Sequence, residues 1–313
     1  MKRRKNGKAA PEGWKSPDGG KRMKAVLAVS FGTTVDETRE KTIGAVEREL
    51  AEAFPEHQLF RAFTSQKIVK ALKKTGKGSF CTVWEALDAI AERGADELTV
   101  QPTFLTAGEE YGRLRSTLSE WLLARPSVCK KVYLGKPLLD TAEDRIQAVR
   151  AVREELPALH NGEICLLAGH GTVGASNDER EGSGSGREDP ASGAEKKMEN
   201  LSDAMEALAC EMSRGAMHFA TLEEAERDFE TVIRRLKVSP GAHILLVPFM
   251  LSAGHHILRD IGGEGENTWK SRLKERGFQV SLLERGLGEY RGIREIYVSH
   301  ARRAESFKAE ALR

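Results

Sequence analysis

One stretch of this 313-residue chain occurs twice with its chemistry changed. Residues 102–110 read PTFLTAGEE, and residues 248–256 read PFMLSAGHH. The openings of the two halves match as well, 27–33 (LAVSFGT) lying over 166–172 (LLAGHGT). A repeat on this scale decides architecture before any single residue does, and it predicts two copies of one module. The copies differ in the side chains that follow their strands. The second half carries His170 and His256 where the first carries Phe31 and Glu110. Groups that bind ions or move protons have thus been placed at matched positions of one copy.

The length suits two domains of roughly 150 residues, and 40% apolar residues supply two ordinary cores. There is no apolar run of about 18 residues to span a bilayer and no apolar signal segment at the start. Cys81, Cys129, Cys165 and Cys210 are scattered without a C-x-x-C pair, which reads as reduced thiols in a cytoplasmic protein. The net charge is +2, but residues 1–22 carry eight Lys/Arg against Glu12 and Asp18 and are +6, leaving −4 for the rest. That segment reads as a basic disordered tail. The acidic body gives no footprint for nucleic acid.

Apolar runs and helical spacings alternate along the chain. Strands are expected at 24–30, 57–63, 97–101 and 131–134, with helices at 35–54, 64–74, 83–93, 109–123 and 141–156. The second half repeats the order, with strands at 163–168, 217–220, 243–248 and 280–284. Its helices are expected at 201–212, 222–236, 268–277 and 291–312. This pattern predicts an α/β fold of two similar Rossmann-like domains, each a parallel sheet with helices on both faces, and an active-site cleft between them. The domains are expected at 23–157 and 158–313. Residues 174–200 are rich in Gly, Ser, Asp and Glu with few apolar side chains, and read as a disordered insertion.

In such sheets ligands sit beyond the carboxyl ends of the strands. His170, Glu223 and His256 all fall there. Two imidazoles and a carboxylate suit a divalent first-row ion with positions left open, and the absence of thiolates argues against a closed structural zinc site. Glu224 competes with Glu223 as a first-turn helix acid. His160, His218, His243 and His300 read as structural. His255 shares an extended segment with His256 and is ambiguous. No G-x-x-x-x-G-K-[ST], G-x-S-x-G or H-E-x-x-H motif is present.

These residues resemble the class II, ATP-independent tetrapyrrole chelatases, and within them the anaerobic sirohydrochlorin cobaltochelatase family. The resemblance runs through VSFGT (29–33), TREKT (38–42), FRAFTS (60–65), AGEEY (107–111), GHGT (169–172), AGHH (253–256) and Asp260 with Trp269-Lys270. It implies two chelatase-type domains and insertion of Co2+ into sirohydrochlorin in anaerobic cobalamin biosynthesis, with release of two protons and without ATP. It also implies that His170, Glu223 and His256 are the metal-binding and catalytic residues. Substrate contacts are expected from Ser30, Phe31, Gly32, Thr33, Arg61, Gly108 and Glu110, with Arg259 a further cation. The chain departs from the family pattern at Phe104 and Gly174, where histidines are expected. Fe2+ or Ni2+ insertion into the same substrate, a non-catalytic metal or tetrapyrrole carrier, and a metal-dependent hydrolase remain open at this point, as does a homo-oligomer.

Overall fold

The computed structural model describes residues 23–76, 80–126, 128–160, 162–171, 190–263 and 265–309, with 190–200 and 255–258 described as backbone alone. The basic tail and residues 174–189 of the expected insertion lie outside these.

Two parallel sheets carry the chain. The first contains β1 (Met23–Ser30), β2 (His57–Phe63), β3 (Ala95–Pro102) and β4 (Lys131–Leu134) in the order β2-β1-β3-β4. The second contains β5 (Ile164–Gly169), β6 (Met217–Thr221), β7 (His243–Pro248) and β8 (Gln279–Leu282) in the order β6-β5-β7-β8. The order is the same in both, and so is the register. Val29 pairs with Pro102 in the first sheet, and Ala168 with Pro248 in the second. Gly32 and Gly171 follow the two central strands with φ of +100° and +101°. The expected repeat is therefore present down to single backbone angles. β1 and β5 are buried along their lengths apart from the first two residues of β1, which is why they read as continuous apolar runs.

The helices lie where the periodicity places them, with instructive differences. The expected helix at 35–54 is two, α1 (Asp36–Lys41) and α2 (Ile43–Ala53), broken at buried Thr42 with φ −110° and ψ −80°. The Thr42 hydroxyl donates back to the Thr38 carbonyl at 2.6 Å, giving the chain a local alternative to a continuous helix. Then come α3 (Gln66–Thr75), α4 (Val83–Glu92), α5 (Glu109–Ala124) and α6 (Ala142–Glu154). Thr82 with Glu85 and Thr141 with Asp144 form capping boxes at α4 and α6.

In the second half α7 spans Pro190–Ser213, so 190–200, expected within the disordered insertion, is helical. Its Ala, Glu, Lys and Met residues are good helix formers behind a Pro at the first helical position. A composition argument about burying surface does not weigh that local preference. After it come α8 (Leu222–Leu236), α9 (His255–Gly262), α10 (Trp269–Glu275) and α11 (Arg291–Arg302). The expected extended segment at His255 and His256 is thus the first turn of a helix, with Gly254 as its N-cap.

The closing segment, assigned from the sequence to the second domain, crosses back. α11 packs on α2, α6 and β3, and β9 (Glu305–Ser306) adds antiparallel to β4 at the edge of the first sheet. The expected helix at 291–312 accordingly stops at Arg302. The largest apolar cluster mixes Val46, Leu50 and Val149 of the first half with Leu167, Phe249 and Tyr297 of the second. At the joint, Gly286 and Gly288 lie against Thr42, where a Cβ on either would come within 2.7–2.9 Å of its neighbours. No helix among the described residues is long and apolar enough to cross a membrane.

Candidate metal and macrocycle site

In a sheet of order 2-1-3-4 the connections reverse direction between the central strand and its third partner, and ligand crevices open there. In the second sheet that point lies between β5 and β7. His170 follows β5 directly. His256 is the second residue of α9, beyond β7, and Glu223 is the second residue of α8, beyond β6. The three predicted ligands thus leave the ends of three adjacent strands, with His170 in the middle. His170 is exposed. The His256 side chain is not among the described atoms. No group of three metal-ligating side chains converges among the described residues.

Glu223 is the part of the set that the geometry fixes most closely. Gly171 has a left-handed φ, and a Cβ there would lie 2.6 Å from Glu223 Oε2 and 2.7 Å from its Cβ. The turn after His170 therefore rests on the Glu223 side chain, and only glycine allows that approach. The competitor, Glu224, is engaged elsewhere. It is ion-paired with Arg235 and accepts from the Ser202 hydroxyl at 3.2 Å, while its N–H is capped by Thr221 Oγ1 at 3.1 Å. Glu223 has Arg227 at 3.7 Å. The helix breaks just beyond, at Asp228 (φ −153°, ψ 87°), whose carboxylate accepts from the Thr231 N–H and starts the helix anew. Glu223 thus sits on a short first segment of its own.

Gly171→Ala is expected to force the backbone from φ +101° or push Glu223 aside. Strain of this kind costs about 1–3 kcal/mol. Metal binding by the purified variant should weaken more than its thermal midpoint falls. Unchanged metal binding would separate the turn from the site.

The first half presents its own turn to the same region. A Cβ on Gly254, the N-cap of α9, would lie 3.6 Å from Thr33 Oγ1. The 30–33 turn of one module thereby meets the start of the helix carrying His256 in the other. Ser30 is buried and its Oγ accepts from the Thr103 hydroxyl at 2.7 Å. Gly32 lies against Phe63 and Ile68. Phe31 is 52% exposed. Gly108 caps α5, and Glu110 takes the position on α5 that His256 takes on α9. One Glu110 oxygen is 3.6 Å from Arg113, and Oε2 is buried without a hydrogen-bond partner among the described residues.

Arg61 stands apart from this group. It sits within β2 with its guanidinium on the nearly buried Glu47, Nε lying 2.8 and 2.9 Å from the two carboxylate oxygens. Burial pushes the Glu47 carboxyl up, against the pull of Arg61. Arg61 therefore balances a buried acid, while its side chain remains 32% exposed. Its sequence neighbours gave no sign of this, because Glu47 lies on another element. Arg259 is exposed on α9, three residues past His256 and 3.3 Å from Asp260.

Arg39, within the 38–42 motif, carries no sequence signal that marks it out from its neighbours. It is 5% exposed, donates to the Thr33 carbonyl at 3.4 Å and to Asp36 at 2.8 Å, and lies 4.7 Å from the Phe80 ring centre. Three of the four histidines expected to be structural have ring partners. His218 bonds Glu206 at 2.7 Å, His243 lies 3.1 Å from Glu163, and His300 bridges the Lys136 carbonyl and Asp144. His160 is exposed, and its backbone N–H donates to Glu163 at 2.8 Å. Phe104 is buried in the first core, and Gly174 lies outside the described residues. The four cysteines are free thiols, and burial pushes Cys165 up to about 12, far from a metal-binding thiolate at neutral pH.

Comparison with known proteins points the same way. The family model described as cobalt chelatase (CbiK) matches residues 24–181 and 191–306. The sirohydrochlorin cobaltochelatase of Salmonella typhimurium is 30% identical over 291 residues, covering 92% of this chain and 98% of that protein. The sirohydrochlorin cobaltochelatase CbiKC of Nitratidesulfovibrio vulgaris is 25% identical over 288 residues, covering 90% and 91%. Among solved structures, SirB from Bacillus subtilis with Fe3+ superposes with a TM-score of 0.58 at 16% identity, over 90% of this chain and 94% of that one, a likeness of fold.

Proposed function

The chain belongs to the cobalt chelatase (CbiK) family, and from that membership we propose that it is a sirohydrochlorin cobaltochelatase. It takes Co2+ and metal-free sirohydrochlorin as substrates, places the ion in the macrocycle and releases the two pyrrole N–H protons, without ATP. The sirohydrochlorin cobaltochelatases that it resembles match nine-tenths of the chain or more, which supports the substrate as well as the ion. The observation that carries the assignment of residues is the placement of His170, Glu223 and His256 after the ends of the three neighbouring strands β5, β6 and β7.

In this reading His170 and His256 hold the incoming ion through ring nitrogens, and Glu223 balances its charge. Donors of this kind replace water around Co2+ one at a time, so that no single step strips the ion bare. A neutral imidazole is also a competent acceptor for a pyrrole proton near neutral pH. Glu110, with one buried oxygen lacking a partner, is the acid of the first module that faces the same task. Simple N/O donors bind Ni2+ more tightly than Co2+ and Co2+ more tightly than Fe2+. The ligand types therefore do not choose the ion. Choice of cobalt then rests on supply and on how the ring is held.

The test is direct. Purified protein is mixed with sirohydrochlorin and Co2+, Fe2+ or Ni2+ under anaerobic conditions without ATP, and the absorbance of the macrocycle is followed. Cobalt insertion at a rate well above the protein-free control is expected. Absence of insertion with every ion, or a requirement for ATP, would sink the proposal. Faster insertion of Fe2+ than Co2+ would move the protein to a different product.

A further inference from the structure

The matched turns of the two modules differ in one way that the metal chemistry does not use. Where the second module has His170, the first has Phe31. Phe31 is one of two large apolar side chains exposed among the described residues, the other being Leu123 on α5. Leaving a phenyl ring half in water costs the protein hydrophobic stabilisation. The turn that does so is held by hydrogen bonds at three of its carbonyls. The Ser30 carbonyl accepts from the Thr64 N–H at 2.9 Å, the Phe31 carbonyl from the Ser65 N–H at 3.3 Å, and the Thr33 carbonyl from Arg39 at 3.4 Å. The Ser30 side chain is tied to Thr103, and Gly32 is wedged against Phe63 and Ile68. Arg39 is itself buried against Phe80 and Asp36. The ring thus projects from a fixed backbone, on the turn whose Thr33 meets the N-cap of α9.

We propose that Phe31 is the aromatic surface on which the flat, conjugated macrocycle lies, and that Arg39 is the positioning residue that holds it there. On this view the repeat has divided one task. The turn after β5 offers a nitrogen to the ion, and the equivalent turn after β1 offers a π-face to the ring into which the ion goes. A rim of carboxylates makes the substrate soluble but does not hold its plane at a set angle. A rigid aromatic does, at little entropic cost, because it has few torsions to freeze. Stacking of a heteroaromatic ring on one side chain is worth about 1–3 kcal/mol by alanine substitution, or roughly 5- to 150-fold in affinity.

This inference rests on the macrocycle being the substrate, so the experiment separates the two. Metal-free sirohydrochlorin is titrated into the wild-type chain and into Phe31→Ala, Phe31→Leu and Phe31→Trp, following quenching of its fluorescence with no cobalt present. Co2+ binding to the same proteins without macrocycle is measured by calorimetry. Phe31→Ala should raise the macrocycle Kd about tenfold and KM with it. Phe31→Leu should recover little of this and Phe31→Trp most of it, since a leucine restores area but not a π-face. Co2+ affinity should be the same in all four. Arg39→Leu should raise the macrocycle Kd with Phe31 present, and add little when combined with Phe31→Ala. Equal macrocycle affinity of wild type and Phe31→Ala would overturn the inference while leaving the chelatase reading intact. Failure of the wild type itself to bind the macrocycle would sink both. A fall in Co2+ affinity on Phe31→Ala would show that the ring supports the metal site, contrary to the division of tasks.

Discussion

His170→Ala is expected to lower the rate of cobalt insertion by a factor of 10²–10⁴ while the protein folds and melts as before. The factor is about what one positioned proton acceptor contributes, and loss of a metal donor adds to it. The fold should be indifferent because His170 is exposed beyond the end of β5 and the described hydrogen bonds give its ring no structural partner. Substitutions at such positions usually change stability by less than about 0.5 kcal/mol. Glu223→Gln keeps the volume that rests against Gly171 and removes the charge, so it should retain the thermal midpoint and lose metal affinity. Protons and the ion compete for the same ring nitrogens. Acidification should therefore slow the wild type, and extra Co2+ should partly restore the rate. Measurement needs only initial rates, calorimetric metal binding and a melting curve for each variant. A His170→Ala protein that inserts cobalt at the wild-type rate would remove the histidine from the mechanism, and a rate independent of pH and metal together would do the same for imidazole as a class.

Tyr297→Ala is expected to show the largest loss of stability among single substitutions outside the site, about 3–5 kcal/mol. For a chain of this size that is a fall on the order of 10 °C in thermal midpoint. Tyr297 is fully buried on α11, and its hydroxyl donates to the Thr103 carbonyl at 2.9 Å. Thr103 in turn bonds the Ser30 side chain under the Phe31 turn. The substitution removes a ring from the apolar cluster that the halves share, so melting should remain one transition rather than split into two. Tyr297→Phe keeps the ring but takes a donor from a buried carbonyl, costing about 1–2 kcal/mol. It should also raise KM for the macrocycle, because the support of the turn is loosened. A Tyr297→Ala protein melting within a degree or two of wild type would mean that α11 does not bind the halves together.

Most of the sheet was legible because its strands announce themselves singly. The buried central strands read as apolar runs, and the bounds expected for β2, β4 and β7 are those observed. The internal match then placed Gly32 over Gly171 and Gly108 over Gly254 without any structure. The helix at His255 and His256 could have been read the same way. Gly254 matches Gly108, behind which a helix was expected, yet the two histidines carry weak helical preference and masked it. The choice between Glu223 and Glu224 was not legible, because it depends on Arg235 and Ser202 reaching the second of them from other elements. The same is true of Arg61, neutralised by a glutamate on α2, and of Arg39, whose position in a motif gave no hint that it would be buried. The return of α11 and β9 to the first sheet leaves no local trace either. A two-residue edge strand has no periodicity, and a helix does not state which partner its apolar face will meet.

That return has a consequence for the order in which the protein can be made. The first sheet is specified early in the chain, but the helix that covers α2 and α6 and the strand that closes its edge follow every strand of the second sheet. At about 5–20 residues per second, the first sheet waits on the order of ten seconds after β4 is synthesised. During that interval β4 offers an unpaired edge and the groove for Tyr297 stands empty. An open edge beside exposed apolar surface is the kind of template on which chains associate wrongly. Arrest or cleavage of the chain before α11 would therefore yield aggregates of the amino-terminal half, not a small stable domain. The half that is written first is the half that is finished last.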